Sequence, residues 1–241
     1  MITHLFELRR RAIYTLWCFA ILFLIFFFIA GDLFHAFMSP LLSVIPHEDG
    51  LIATHITSPM VTPLKLAANA AMLFSAPFAL YHLWRFVSPG LHQHEKKQFR
   101  GAITLSILLF LAGLLFCFYL ILPFMFQFFV HALPKGVRFM PDIGYALDFV
   151  TRMLLLFGFC FQIPLITLIL VRFNFTTVIT LKNIRPYVIV GAFIIGMLLT
   201  PPDVLSQLML ALPLCFLYEL GILLAVYFST DSPSRSLHDY R

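Results

Sequence analysis

Residues 9–30 read Arg-Arg-Arg and then AIYTLWCFAILFLIFFFIA, three guanidinium groups set against nineteen residues without a charge. At ~1.5 Å of rise per residue, the apolar part alone comes close to the ~30 Å hydrocarbon core of a bilayer. Five more apolar runs follow Ala12–Ala30, at Leu66–Leu83, Ala102–Leu122, Met153–Val171, Pro186–Leu199 and Leu205–Phe228. Hydrophobic residues make up 61% of the chain and charged residues 11%, where soluble proteins carry roughly a quarter charged. Backbone polar groups in lipid must be satisfied within each helix or around a closed barrel, and runs of this length suit helices. The fold class is therefore an all-α integral membrane protein, a six-transmembrane-helix bundle. Residues 1–228 form its single membrane domain and residues 229–241 a polar tail, read as disordered.

The basic residues are distributed unevenly between the two sides. Of the sixteen Lys and Arg, twelve fall on the side that carries both termini, and only Lys65, Lys135, Arg138 and Arg152 on the other. The positive-inside rule then places the N-terminus and the C-terminus in the cytoplasm. Anionic headgroups account for the net charge of +5 without nucleic acid as a partner. Cys18, Cys117, Cys160 and Cys215 lie in four different apolar runs, with no metal-ligand or redox spacing, and are structural. Bulky Phe28 stands two positions before Ala30, so the first run reads as an uncleaved helix and not as a signal peptide.

Between the first two runs, Ser39-Pro40, Ser58-Pro59 and Thr62-Pro63 suit N-caps followed by proline in the first helical position. Short helices over the outer face are expected there, and residues 123–152 are expected to form a second, aromatic-rich external segment packed on the bundle. The fifth run is only fourteen residues long, about 21 Å as a helix. Either its flanks extend it or the bilayer thins there. Pro77, Pro164 and Pro213 lie within runs and should kink them.

Outside the tail, the cytoplasmic side holds two carboxylates, Glu7 and Glu95. Glu7 can pair with Arg10 or Arg11 at three- and four-residue spacing, and Glu95 can favour the start of the third helix. The functional alternative is that both accept guanidinium groups from a partner. Within the spans, Gln162 and Glu219 are the notable polar residues: Glu219 is a functional candidate or a snorkelling acid, and Gln162 a bridge between helices. Thr200-Pro201-Pro202-Asp203 has the pattern of a helix cap, which makes Asp203 structural. His92 and His94 alone are a weak metal signal. None of the eleven glycines is followed two residues later by serine, and no glycine-rich phosphate loop occurs. An enzyme is not expected, nor a cofactor or metal.

These residues resemble the TatC family, the membrane receptor subunit of the twin-arginine protein translocase. The resemblance rests on His4-Leu5-Phe6-Glu7-Leu8-Arg9-Arg10-Arg11, Ser58-Pro59, Trp84-Arg85-Phe86-Val87-Ser88-Pro89-Gly90-Leu91 with His94-Glu95, and Phe157-Gly158 through Pro164. Arg185-Pro186-Tyr187, Thr200-Pro201-Pro202-Asp203 and Tyr218-Glu219 complete it. It implies a glove-like, concave bundle in a bacterial inner (cytoplasmic) membrane that binds twin-arginine signal peptides on folded cargo proteins. The binding site it implies is Glu7, Arg9, Trp84, Phe86, Pro89 and Glu95. It further implies single-span TatA-like and TatB-like partners, docking around Met197, Leu198, Thr200 and Gln207. Self-association and transport driven by the proton-motive force belong to the same expectation. Where the family often has a glutamate this chain has Gln162, which can hydrogen-bond but not titrate. The competing reading, a small-solute or proton-coupled secondary transporter, rests on helix number and Glu219 alone.

Overall fold

The structure, a computed structural model, describes residues 2–45, 50–87, 96–134, 136–173, 175–199 and 204–229. Six of its helical segments are long and apolar enough to cross a membrane, at Phe6–Phe28, Ser58–Phe86, Gly101–His131, Ile143–Arg172, Val178–Leu199 and Val204–Tyr227. Among the described residues there is no β-strand, only one isolated bridge between Ile52 and Asp142. The expected class of fold is thus the observed one.

Helix α1 (Ile2–Phe28) forms the first span, and α2 (Ala30–Leu42) follows it. Pro40 lies inside α2, so Ser39 is no N-cap. Proline lacks the N–H that would reach the Ala36 carbonyl, and the Ser39 hydroxyl donates to that carbonyl instead, at 3.0 Å. Helix α3 (Ser58–Val87) begins at the second Ser-Pro pair and carries the second span. The third span joins α4 (Lys96–Phe116), a π-helical turn (Cys117–Ile121) and α5 (Leu122–His131). The wide turn falls where the Pro123 ring would meet the Tyr119 carbonyl in a regular helix. The fourth span is α6 (Ile143–Cys160) and α7 (Ile163–Arg172), broken by a turn at Phe161-Gln162 just before Pro164. Helix α8 (Val178–Leu199) carries Pro186 in its interior. The fifth span is therefore twenty-two residues long, extended by its flanks to about 33 Å. Helix α9 (Val204–Ser229) is the sixth.

Two of the expected boundaries change. The second external segment shrinks to residues 132–142, because α5 and α6 both continue the spans on either side. Among its described residues the first holds one helix besides the start of α3, namely α2, while Pro59 and Pro63 belong to the opening turns of α3. Hydropathy marks only the most apolar part of each helix, and these ends are amphipathic.

The packing divides into two units, residues 1–158 and 159–241. In the first, α1 lies against α3, and α2 packs on α3 and α5. Ala67, Ala70, Ala71 and Ala76 of α3 are buried, small side chains that allow close helix approach where lipid supplies no hydrophobic drive. Ala76 and Leu80 meet Phe110 of α4 there. None of the residues 6–29 is buried within the protein, so the first span rests on one neighbour and otherwise faces outward. In the second unit, α9 packs on both α7 and α8. Its core joins Leu181, Tyr218 and Ile222 to Ile163, Val171, Val178 and Val188.

Outside the spans, one carboxylate ties the two connecting segments of the first unit together. Asp142 accepts bonds from the Thr54 amide (3.0 Å) and hydroxyl (2.7 Å), and from the amides of Gly144 (2.8 Å) and Tyr145 (3.2 Å). Ile52 adds backbone bonds to Pro141 and Ile143. Bonding to the Thr54 hydroxyl first, then to the amides, holds the Asp142 carboxyl down at about 2. An unfolded aspartate titrates near ~3.9, so this clasp is fully formed above pH ~4 and is lost as pH falls through about 2. Asp142→Ala at neutral pH should accelerate hydrogen exchange at the Thr54, Gly144 and Tyr145 amides, while amides of α9 keep their wild-type rates.

Candidate functional site

The end of the first unit where α1 begins and α3 finishes gathers charged and aromatic side chains. Four residues apart on α1, Glu7 and Arg11 form an ion pair, as their spacing allows. The same guanidinium reaches across to α3, where its second amino group donates to the His82 carbonyl at 3.3 Å. Arg11 therefore fixes the Glu7 carboxylate beside the last turn of α3. Two residues on, the Trp84 indole donates to the Ser106 hydroxyl of α4 at 2.8 Å, and Ser106 is fully buried. Phe86 closes the same span. Arg9 sits on α1 and is exposed. Pro89 and Glu95 lie outside the described residues, in the segment that leaves α3.

His82 was not singled out by sequence reasoning, yet it sits at the centre of this cluster. Its ring packs edge-on to Phe78 (4.4 Å) and Tyr81 (5.4 Å) and lies 6.1 Å from Tyr14 of α1. A single histidine in an apolar span gives no spacing signal, which is why only the packing finds it.

In the second unit, Gln162 occupies the turn before α7 and is 3% exposed. Its backbone carbonyl accepts from the Ile166 amide, and its backbone N–H donates to the Phe159 carbonyl. Its buried side-chain amide can hydrogen-bond between helices but cannot carry a proton. Glu219 is paired: the Arg185 guanidinium of α8 donates to its carboxylate at 2.7 Å. The neighbouring Tyr218 hydroxyl donates to the Leu181 carbonyl, also across to α8. An ion pair thus joins α8 to α9 here. On the other end of α8, Met197 (59% exposed) and Leu198 (72% exposed) present apolar side chains outward. Gln207 of α9 donates to the Phe193 carbonyl at 2.8 Å, packed over Gly196. Thr200 and Asp203 lie outside the described residues, so the proposed cap of α9 does too.

Six apolar spans with their charged groups gathered at helix ends define a multi-pass helical membrane protein. The family description "Sec-independent protein translocase protein (TatC)" matches residues 3–213. The TatC protein of Haemophilus influenzae is 42% identical over 228 residues, covering 95% of this chain and 89% of that one. TatC of Escherichia coli (strain K12) is 37% identical over the same length, covering 95% and 88%. A crystal structure of the twin-arginine translocase receptor TatC superposes with a TM-score of 0.83 at 33% identity, covering 94% of this chain and 99% of that one. The chain belongs to the TatC family, and as such is a core subunit of the twin-arginine translocase.

Proposed function

We propose that this chain reads the paired arginines of a signal peptide through two carboxylates, Glu7 and Glu95. Trp84, Phe86 and Pro89 receive the apolar stretch that follows, and Arg9 frames the site. The observation that carries this reading is the placement of Glu7. Arg11 pins its carboxylate beside the end of α3, from which the segment holding Pro89 and Glu95 departs. A carboxylate fixed by one guanidinium keeps lone pairs for another, and a planar fork matches them where a lysine ammonium does not. The solved relative is described as a twin-arginine translocase receptor, which agrees with this assignment.

The remaining roles follow from the same family. Met197, Leu198 and Gln207, with Thr200, are the docking face for single-span TatA-like and TatB-like partners. The outward apolar pair on α8 beside a polar group supports this. Gln162 serves as a polar docking point and not as a proton relay. The proton-motive force drives transport of folded cargo. The excess of Lys and Arg on one side supports a bacterial inner membrane with both termini in the cytoplasm. The run of α6 into α7 through one apolar span supports treating residues 1–228 as one membrane domain.

A fluorescent signal peptide with paired arginines, compared with its paired-lysine twin, tests the receptor assignment on the purified protein in nanodiscs. Charge-assisted hydrogen bonds are worth ~1.5–3 kcal/mol each, so Glu7→Ala or Glu95→Ala should weaken arginine-peptide binding about tenfold or more. Each should narrow the preference over the lysine peptide. Equal binding of the two peptides, with and without an added TatB-like partner, would remove the two-carboxylate reading.

A further inference from the structure

Two arginine–tyrosine modules, linked through one histidine, lie at the end of the first two spans, and neither takes part in the Glu7–Arg11 pair. On α1, Arg10 Nε donates to the Tyr14 hydroxyl at 2.8 Å, with its guanidinium 5.6 Å from the ring centroid. On α3, Arg85 Nη1 donates to the Tyr81 hydroxyl at 2.9 Å, 5.9 Å from the ring centroid. Both tyrosine rings pack against the same imidazole, His82. Both arginines are exposed. The Glu7 carboxylate on α1 is taken by Arg11.

The surroundings state what such a pair could hold. One face of each guanidinium is fixed on a tyrosine, so the other N–H donors are oriented outward without further ordering cost. Directly along α1 below Tyr14 come Trp17, Ile21 and Leu24, all more than half exposed. On α3, Phe78 and Phe74 follow Tyr81 along the helix, both exposed, and Phe74 meets Phe26 of α1 at 5.2 Å. Cationic donors thus cap an apolar surface between two spans, the arrangement of an amphiphile with an anionic head.

We propose that Arg10 and Arg85 form a binding site for the phosphodiester headgroup of an anionic phospholipid, whose acyl chains lie along α1 and α3. The site is separate from the signal-peptide reading and does not depend on it. It places a fixed anion beside a receptor surface otherwise dominated by Arg9, Arg10, Arg11 and Arg85, and so lowers the repulsion that a cationic peptide meets there.

The chain's two tryptophans make the test direct. With Trp84→Phe, Trp17 is the sole emitter, one turn below Tyr14. In nanodiscs of phosphatidylcholine with a minor fraction of brominated phosphatidylglycerol, Trp17 should be quenched several-fold more than by the same fraction of brominated phosphatidylcholine. A basic residue at an anionic surface contributes a factor of about five in local enrichment, so Arg10→Gln and Arg85→Gln should each remove about that much and together abolish the excess. Tyr14→Phe with Tyr81→Phe keeps both charges but frees the guanidiniums, and should still lower the excess. If the excess survives in the double glutamine variant, or is untouched by the tyrosine changes, the basic belt acts as a diffuse charge and the site is refuted. Competition by millimolar inorganic phosphate would show that the guanidiniums serve a soluble anion, and would overturn the lipid assignment. Circular dichroism equal to that of the parent protein qualifies each variant for the comparison.

Discussion

Gly221→Val is expected to pry α7 from α9 and to leave a protein that aggregates on extraction or melts well below the native temperature. A β-carbon at position 221 would stand 2.9 Å from the Pro164 Cα, and closer still to the Thr167 hydroxyl oxygen. Neither obstacle can yield cheaply. One is backbone at the start of α7, and the other is a hydroxyl placed 3.0 Å from the Ile163 and Pro164 carbonyls. Overpacking of a well-filled contact costs ~1–3 kcal/mol and more when backbone must move. Interhelical packing is also a main source of cohesion once lipid replaces water. Gly221→Ala should show the same effect at smaller size. Thermal unfolding followed by circular dichroism in detergent is the measurement, and an unchanged midpoint for the valine variant would show that the two helices do not meet here.

Breaking the Arg185–Glu219 pair from one side should cost more than removing it altogether. The two side chains are 40% and 44% exposed, and both lie within segments long and apolar enough to cross a membrane. In water such a pair contributes little. In lipid an unpartnered charge costs up to ~2.5–3.5 kcal/mol at the centre of a helix and less toward its ends. Arg185→Leu and Glu219→Leu should therefore each lower stability by about 1–3 kcal/mol, and Arg185→Leu with Glu219→Leu by clearly less than their sum. Additive losses in the double-mutant cycle would mean that headgroups or water already compensate each charge separately.

Hydropathy exposed the six spans, and the four-residue spacing on α1 exposed the Glu7–Arg11 pair. Both are local patterns. Two of the misplaced boundaries, at Pro123 and Pro186, fall at prolines that the helices accommodate. Pro186 sits inside α8, while Pro164 marks a real break that leaves Gln162 in a turn and not in the middle of a helix. The long-range partners had no local signature. Thr54 and Asp142 are separated by 88 positions and Arg185 and Glu219 by 34, and only the folded chain brings them together. The candidate site residues came from motifs alone, a motif gives no geometry, and for Pro89, Glu95, Thr200 and Asp203 the described residues add none.

The first span, which has no side chain of residues 6–29 buried and α3 as its main neighbour, also bears on how the chain is made. Its partner is complete only when Val87 leaves the ribosome, some sixty residues after Phe28, which at ~5–20 residues per second is a delay of several seconds. A helix whose surface already suits lipid can wait alone through that interval without exposing a surface meant for protein. Of the six spans, the one earliest in this chain is thus the least buried in protein.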